Sequence, residues 1–312
     1  MICLKNNKCE AADIMLNFKR LTLSDVDKVR TYFPYSTNRT CDNTIGGAFM
    51  WRDYFSIEFT EFNETLIFKA QVKYHHNYTA FSMPLGKDIY GSLDSIKEYC
   101  RNLGIPIAFY TVTGDDIEIL RSVFGEIQVY EEEDWSDYLY RASDLIDLPG
   151  RKYHGQKNHI NYFKRTHEDF YFEEIAKTNI NEVIDFYNIY GLKSVKDSEI
   201  FLEEHYKTYD VLENYSDYGL LGGLLRVNGS VEAFSIGELN NDVLFIHIEK
   251  ANQQLRGAYQ VISNEFARHY ASNEGTEFIN REEDVGDEGL RISKKSYHPC
   301  EIIKKYIAIF DR

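Results

Sequence analysis

Glu249 stands near the end of an alternating run, Val243-Leu-Phe-Ile-His-Ile-Glu-Lys250, which empties into the polar turn Asn252-Gln-Gln-Leu-Arg-Gly-Ala258 and then an amphipathic stretch from Tyr259 to Tyr270. A strand that hands over to a helix through a glycine turn leaves several backbone N–H groups unpaired and aimed at one point, which suits a phosphate or a carboxylate. Gln254, Leu255, Arg256, Gly257 and Ala258 are therefore the candidate donor-binding turn. Period-two alternation predicts Val243, Phe245, His247 and Glu249 on one strand face, so that face passes from apolar to ionisable as it nears the turn. A carboxylate in a partly apolar cleft has a raised pKa and can take the proton of an attacking amine. Glu249, at the ionisable end of that face, and Glu238, on the neighbouring strand, are the carboxylates so placed. The competing reading of Glu249 is an exposed strand-end glutamate paired with Lys250 or Arg281, and His247 reads as a hydrogen-bonded core or cleft-wall residue.

Two further clusters carry charge. Asn280 to Glu288 gathers Arg281, Glu282, Glu283, Asp284, Asp287 and Glu288 around Gly286. Acidic groups beside an arginine at a strand end suit a cationic amino-acid moiety, with Glu282 reading the amine and Arg281 fixing a carboxylate or phosphate. The plainer alternative is that Asp287 and Glu288 cap the next helix. Arg151 to Arg165 holds Arg151, Lys152, Lys157, Lys164 and Arg165 with no acidic residue. Lys152, Lys157 and Asn158 are candidate contacts to a phosphate-bearing donor such as tRNA, with Tyr153 and Tyr162 available to stack on bases. Otherwise the segment is a solvated helix neutralising the acidic run Glu131-Glu-Glu-Asp134. The spacing matches no calcium loop, and the cysteines Cys3, Cys9, Cys41, Cys100 and Cys300 never fall in C-x-x-C spacing, so no metal site and no disulfide framework is expected.

The elements that must position these residues repeat. A chain of 312 residues fits two domains, and its 24 Tyr and 20 Phe suggest thick sheet cores with phenols lining polar clefts. A net charge of −15 disfavours a broad nucleic-acid or anionic-membrane surface and leaves only local basic patches for such a role. Lys5, Lys8 and Glu10 stand where the core of a signal peptide would lie, and no run reaches the ~18 apolar residues of a membrane span, so a cytoplasmic protein with reduced thiols is expected. In the second half the patterns run as strand 170–175, helices 181–190 and 198–214, strands 219–227, 231–239 and 243–250 turned by Asn228-Gly229 and Asn240-Asn241-Asp242, helix 259–270, strand 277–280, helix 289–297 and strand 301–310. The first half follows a similar order: strand 18–22, helix 24–33, an irregular segment around Trp51, strands 55–62, 65–72 and 78–83, helix 93–103, strand 106–112, helix 115–124 and strand 127–130. Leu148-Pro-Gly150 marks the boundary, giving domains 1–147 and 148–312, each a mostly antiparallel mixed sheet flanked by helices in an α+β (mixed α/β) fold. In the first half Pro84, which has no N–H to offer an anion, follows the third strand, so the donor is expected on the second.

Gln254-Leu-Arg-Gly-Ala-Tyr259 resembles the Q/R-x-x-G-x-G/A pyrophosphate turn of GNAT acyltransferases, with Tyr259 in place of the last small residue. Two longer blocks, Leu148 to Phe163 and Ile279 to Pro299, resemble the bacterial family that shares its fold with the C-terminal domain of phosphatidylglycerol lysyltransferases. The resemblance implies a tandem GNAT (acyl-CoA N-acyltransferase-like) fold and an acyl- or aminoacyl-transfer site between the halves, using aminoacyl-tRNA or an acyl-CoA as donor and no tightly bound cofactor. The acceptor would be the amine or hydroxyl of a small molecule or peptide. It also implies Glu249 as the first candidate base, Glu238 as the second, and Tyr297 as the acid that protonates the leaving group. The rival reading is a non-enzymatic ligand-binding or sensor protein that keeps the cleft, motivated by Tyr259 and Pro84.

Overall fold

The computed structural model describes residues 16–74, 76–191, 199–272 and 275–310. Cys3, Lys5, Lys8, Cys9 and Glu10 lie outside these, as does Ser198, where the sequence starts a helix. Among the described residues, fifteen strands follow in chain order: β1 (Lys19–Arg20), β2 (Glu58–Phe62), β3 (Thr65–Tyr74), β4 (His76–Phe81), β5 (Leu85–Gly86), β6 (Ile107–Val112), β7 (Gln128–Glu131), β8 (Asp137–Arg141), β9 (Phe170–Glu174), β10 (Leu221–Val227), β11 (Ser230–Asn240), β12 (Val243–Ala251), β13 (Phe278–Asn280), β14 (Glu301–Ile303) and β15 (Tyr306–Phe310).

They form two mixed sheets, ordered β1-β2-β3-β4-β6-β15-β7 with β5 on β3, and β14-β8-β13-β12-β11-β10-β9. Each sheet takes one strand from the other half of the chain. β15 lies between β6 and β7, while β8 lies between β13 and β14. A cut between 147 and 148 therefore leaves one strand of each sheet on the wrong side. The strand expected over 301–310 is two strands in two sheets, because the chain crosses between them at Lys304 and Lys305.

Alternation decides what each face covers. On β3, Leu66, Phe68, Ala70 and Val72 enter an apolar cluster that also holds Phe234, Ile236 and Ile248 of the second sheet, so one core joins the halves. Ile67 points the other way, toward Leu93 and Ile96 of the helix Ile89–Leu103. Behind the second sheet, the helix Ala258–Tyr270 buries Val261, Ile262 and Phe266 against Leu244 and Ile246. At roughly 1.5–3 kcal/mol for each fully buried large side chain, these faces outweigh any single polar contact.

One irregularity reshapes the site. In the β11–β12 ladder Ile236 faces Ile248 but Gly237 faces Ile246, so residue 247 is an extra residue, a bulge. Ile246 and Ile248 consequently lie on opposite sides, the first with the helix Ala258–Tyr270 and the second in the shared core. The expected common face of Val243, Phe245, His247 and Glu249 is thus broken: His247 turns toward the first half, and Glu249 toward the helix face.

Candidate active site

β12 and β13 run parallel only from Val243–Phe278 to Phe245–Asn280. Beyond that point the Arg281 N–H bonds to the Tyr138 carbonyl instead, and the two chains diverge into a V. Two ion pairs span it. On the helix face, Arg281 Nη2 donates to Glu249 Oε1 at 3.0 Å, with both side chains close to nine-tenths buried. On the opposite face, His247 sits between Glu238 and Glu282, at 2.9 and 2.6 Å.

The helix-face pair is incomplete. Glu249 Oε2 and Arg281 Nη1 are buried with no hydrogen-bond partner among the described residues, and so is the hydroxyl of Ser235, the cross-strand neighbour of Glu249. Buried polar atoms are ordinarily bonded, and one left bare costs about 1–3 kcal/mol. Donors on Ser235 and Arg281 and an acceptor on Glu249 are thus left unpaired on neighbouring segments. Tyr297 closes the cluster. Its ring lies 4.8 Å from the Arg281 guanidinium, and burial pushes its phenol up to about 12, so it stays protonated at neutral pH.

Of the sequence candidates, Glu249, Arg281 and Tyr297 are brought together, while Glu238 and Glu282 are committed elsewhere. Glu238 is buried and accepts from the Gly46 N–H at 2.7 Å as well as from His247. It clamps the helix Ile45–Met50 of the first half to the second sheet. A Cβ at Gly46 would lie 2.3 Å from the His247 ring, so this contact demands glycine. Burial alone would lower the His247 pKa, but Glu282 and Glu238 overcome it and raise it to about 10. The sign follows: with the folded pKa above the unfolded value near 6.5, the clamp's contribution is full below about pH 6.5 and is lost as pH rises through about 10. Denaturation midpoints of wild type should therefore fall between pH 7 and 10, and His247→Gln should flatten that slope; equal slopes would remove the clamp.

The turn after β12 is open to solvent at Gln253, Gln254 and Arg256, and no side chain caps the helix Ala258–Tyr270. The corresponding first-half helix, Ile89–Leu103, already holds an anion there, since Asp88 accepts from the Gly91 N–H. Gly257 has a packing reason as well. Its φ is +97°, and a Cβ would meet the His159 carbonyl at 2.5 Å. Gly257 and Ala258 are buried under the helix His154–Thr166, leaving Gln254 and Arg256 as the exposed part of the turn. Beside it, Phe186, Tyr190, Lys250, Asn252 and Tyr259 line a cavity of about 120 Å³. The Tyr259 phenol lies against the Ala251 backbone N–H. All of these residues belong to the second half, so the turn does not open into a cleft between the halves, as the resemblance led one to expect. The inter-half cavity lies on the other side of the V.

A profile of the family "phosphatidylglycerol lysyltransferase, C-terminal" matches residues 34–309. The chain belongs to this family. A conserved protein of unknown function from Bacteroides thetaiotaomicron is 32% identical, with a TM-score of 0.87 over 95% of this chain and 100% of that one. L-PGS from Bacillus licheniformis shares the fold at 15% identity, with a TM-score of 0.62 over 90% of each chain. An uncharacterised protein of Mycoplasmoides gallisepticum is 25% identical over 69% of each chain. The architecture, two mixed sheets flanked by helices, is a fold shared with FemX at 10% identity and a TM-score of 0.58. No helix of the described residues is long and apolar enough to cross a membrane.

The basic segment of this family member forms a short 3-10 turn, Arg151–Tyr153, and the helix His154–Thr166. It does not neutralise the acidic run before it: Arg291 pairs with Asp134 and Glu133, and Lys304 with Glu131. Lys152 pairs with Asp144 and Lys164 with Glu265, whereas Arg151, Lys157, Arg165 and Arg256 have no carboxylate within ion-pair distance among the described residues. Arg256 lies over the Tyr162 ring at 4.7 Å, so the open basic face borders the donor turn, with Asn158 exposed on it. Asp287 caps the helix Glu288–Lys295 through the Leu290 N–H, as its alternative reading held. Sequence reasoning missed Ser235, and also Lys294, whose buried ammonium donates to the carbonyls of Arg281, Glu282 and Glu283 and so shapes the acidic loop. Nothing in a lone serine or lysine signals such a role before the strands are registered.

Proposed function

We propose that the protein transfers an acyl or aminoacyl group to an amine or hydroxyl at the Glu249–Arg281–Tyr297 cluster. The observation that carries this is the set of bare buried atoms on Ser235, Glu249 and Arg281 at the splayed end of β12, next to an uncapped helix end. In this reading the nucleophile attacks the donor carbonyl carbon and gives its proton to Glu249 Oε2. Arg281 Nη1 and the Ser235 hydroxyl donate to the developing oxyanion. The carbonyl–leaving-group bond then breaks, and Tyr297 returns a proton to the departing atom. The basic face of Arg151, Lys157, Arg165 and Arg256 supports aminoacyl-tRNA as donor in preference to acyl-CoA, as does Tyr259, which lines the cavity beside the turn where the resemblance has a small residue.

The test is to incubate the protein with tRNA charged with labelled amino acids and follow the label. Wild type should release it or pass it on, and Lys157→Glu with Arg256→Glu should slow this at least tenfold and flatten its salt dependence. Heat on titration with millimolar coenzyme A, with charged tRNA left untouched, would reassign the donor. Silence in both experiments would favour the sensor reading, which the occupation of Glu249 Oε1 by Arg281 supports.

A further inference from the structure

The cavity on the other face of the V lies between the halves and measures about 80 Å³, several times what one water needs. Trp51, Phe55 and Trp135 form one wall, in ring contact at 6.2 and 6.4 Å. The charged part of the lining is Asp42, Glu282, Glu283 and Lys305. Lys305 Nζ stands 2.8 Å from Asp42, 2.8 Å from Asp137 and 3.8 Å from Glu283, so one ammonium serves three carboxylates. Asp42 Oδ2 has this ion-pair neighbour but no hydrogen bond of usable direction. The surplus charge shows in Glu283, which burial, opposed by Lys305 and helped by Asp137, raises to about 7. Thr111 and Val285, both lining the cavity, hold φ of +49° and +47°, conformations that β-branched residues rarely adopt and that persist only where the surroundings enforce them.

We propose that this cavity binds the ammonium end of a primary alkylamine, its hydrocarbon body against Trp51, Phe55 and Trp135 and its charge on Asp42 and Glu283. Aromatic faces and carboxylates both attract such a cation, and the narrow apolar wall selects a chain over a hydrated metal ion. The site is separated from Glu249 only by the strand end, because Arg281 and its neighbour Glu282 point to opposite sides.

Calorimetric titration with n-pentylammonium chloride at fixed ionic strength tests this without any donor. Saturable binding is expected, weakened at least tenfold by Glu283→Gln, by Asp42→Asn and by Trp135→Ala. Pentanol binding as tightly as the amine, potassium chloride displacing it at equal concentration, or affinity unchanged in all three variants would overturn the assignment. Such a failure leaves the Glu249 site standing, and failure of transfer from charged tRNA leaves the amine site standing.

Discussion

Lys305→Met is expected to destabilise the protein by about 3–5 kcal/mol, the cost of removing one partner from a buried ion cluster. Its side chain is 1% exposed, and Asp137, which it neutralises, is 0% exposed. Burial alone would depress its pKa, yet Asp137 and Asp42 hold it well above the usual lysine range, so the cation is obligatory at any physiological pH. Methionine fills a similar volume with no charge, leaving Asp42, Asp137 and Glu283 to repel one another. Lys305 stands where β14 passes to β15, and Asp137 opens β8, so this one cluster fastens both exchanged strands. The deficit should shrink as pH falls and the carboxylates gain protons. Urea denaturation at pH 5 and pH 8 measures both effects, and Asp137→Asn in the same chain should recover part of the loss. A change under 1 kcal/mol at pH 8 would mean that solvent reaches the cluster, and the charged lining of the amine cavity would lose its surplus.

The hairpins of the second sheet were legible because alternation and turn chemistry agree there: Asn228-Gly229 and Asn240-Asn241-Asp242 separate β10, β11 and β12 within two residues of the expected bounds. The helix Ala258–Tyr270 likewise follows from its amphipathic period. β8 was not legible. Asp137, Tyr138, Leu139 and Tyr140 are all buried, so no face alternates with solvent and a period-two reading finds nothing. The break at Lys304–Lys305 was hidden for a related reason, since a lysine turned inward toward partners 168 and 263 residues away looks in sequence like one facing water. The bulge at His247 matters most for the site. One extra residue in β12 reverses every later side chain, so the alternation that nominated Glu249 placed it on the wrong face, and only the pairing with β11 shows which neighbours it meets. Glu249 was therefore nominated on a face it does not occupy, and what stands is its place at the strand end.

Glu249→Gln should lower the rate of transfer by about 10²–10⁴-fold, the usual worth of a positioned general base, while leaving donor affinity within a few-fold of wild type. The amide is isosteric, and its oxygen can still accept from Arg281 Nη2, but it cannot take a proton at the position of Oε2. If Glu249 acts as base, the variant loses the acidic limb of the pH–rate profile, and the remaining rate rises with the basicity of the added nucleophile. Arg281→Lys gives a complementary result. It keeps a positive charge beside Glu249 but loses the planar fork whose second nitrogen is bare, so the rate constant should fall more than the affinity for donor. A Glu249→Gln protein with an undiminished rate and an unchanged pH profile would show that the carboxylate serves only to hold Arg281 across the V. The bare atoms of Ser235 and Arg281 would then belong to a binding site without a base, and the sensor reading would gain what the transferase reading loses.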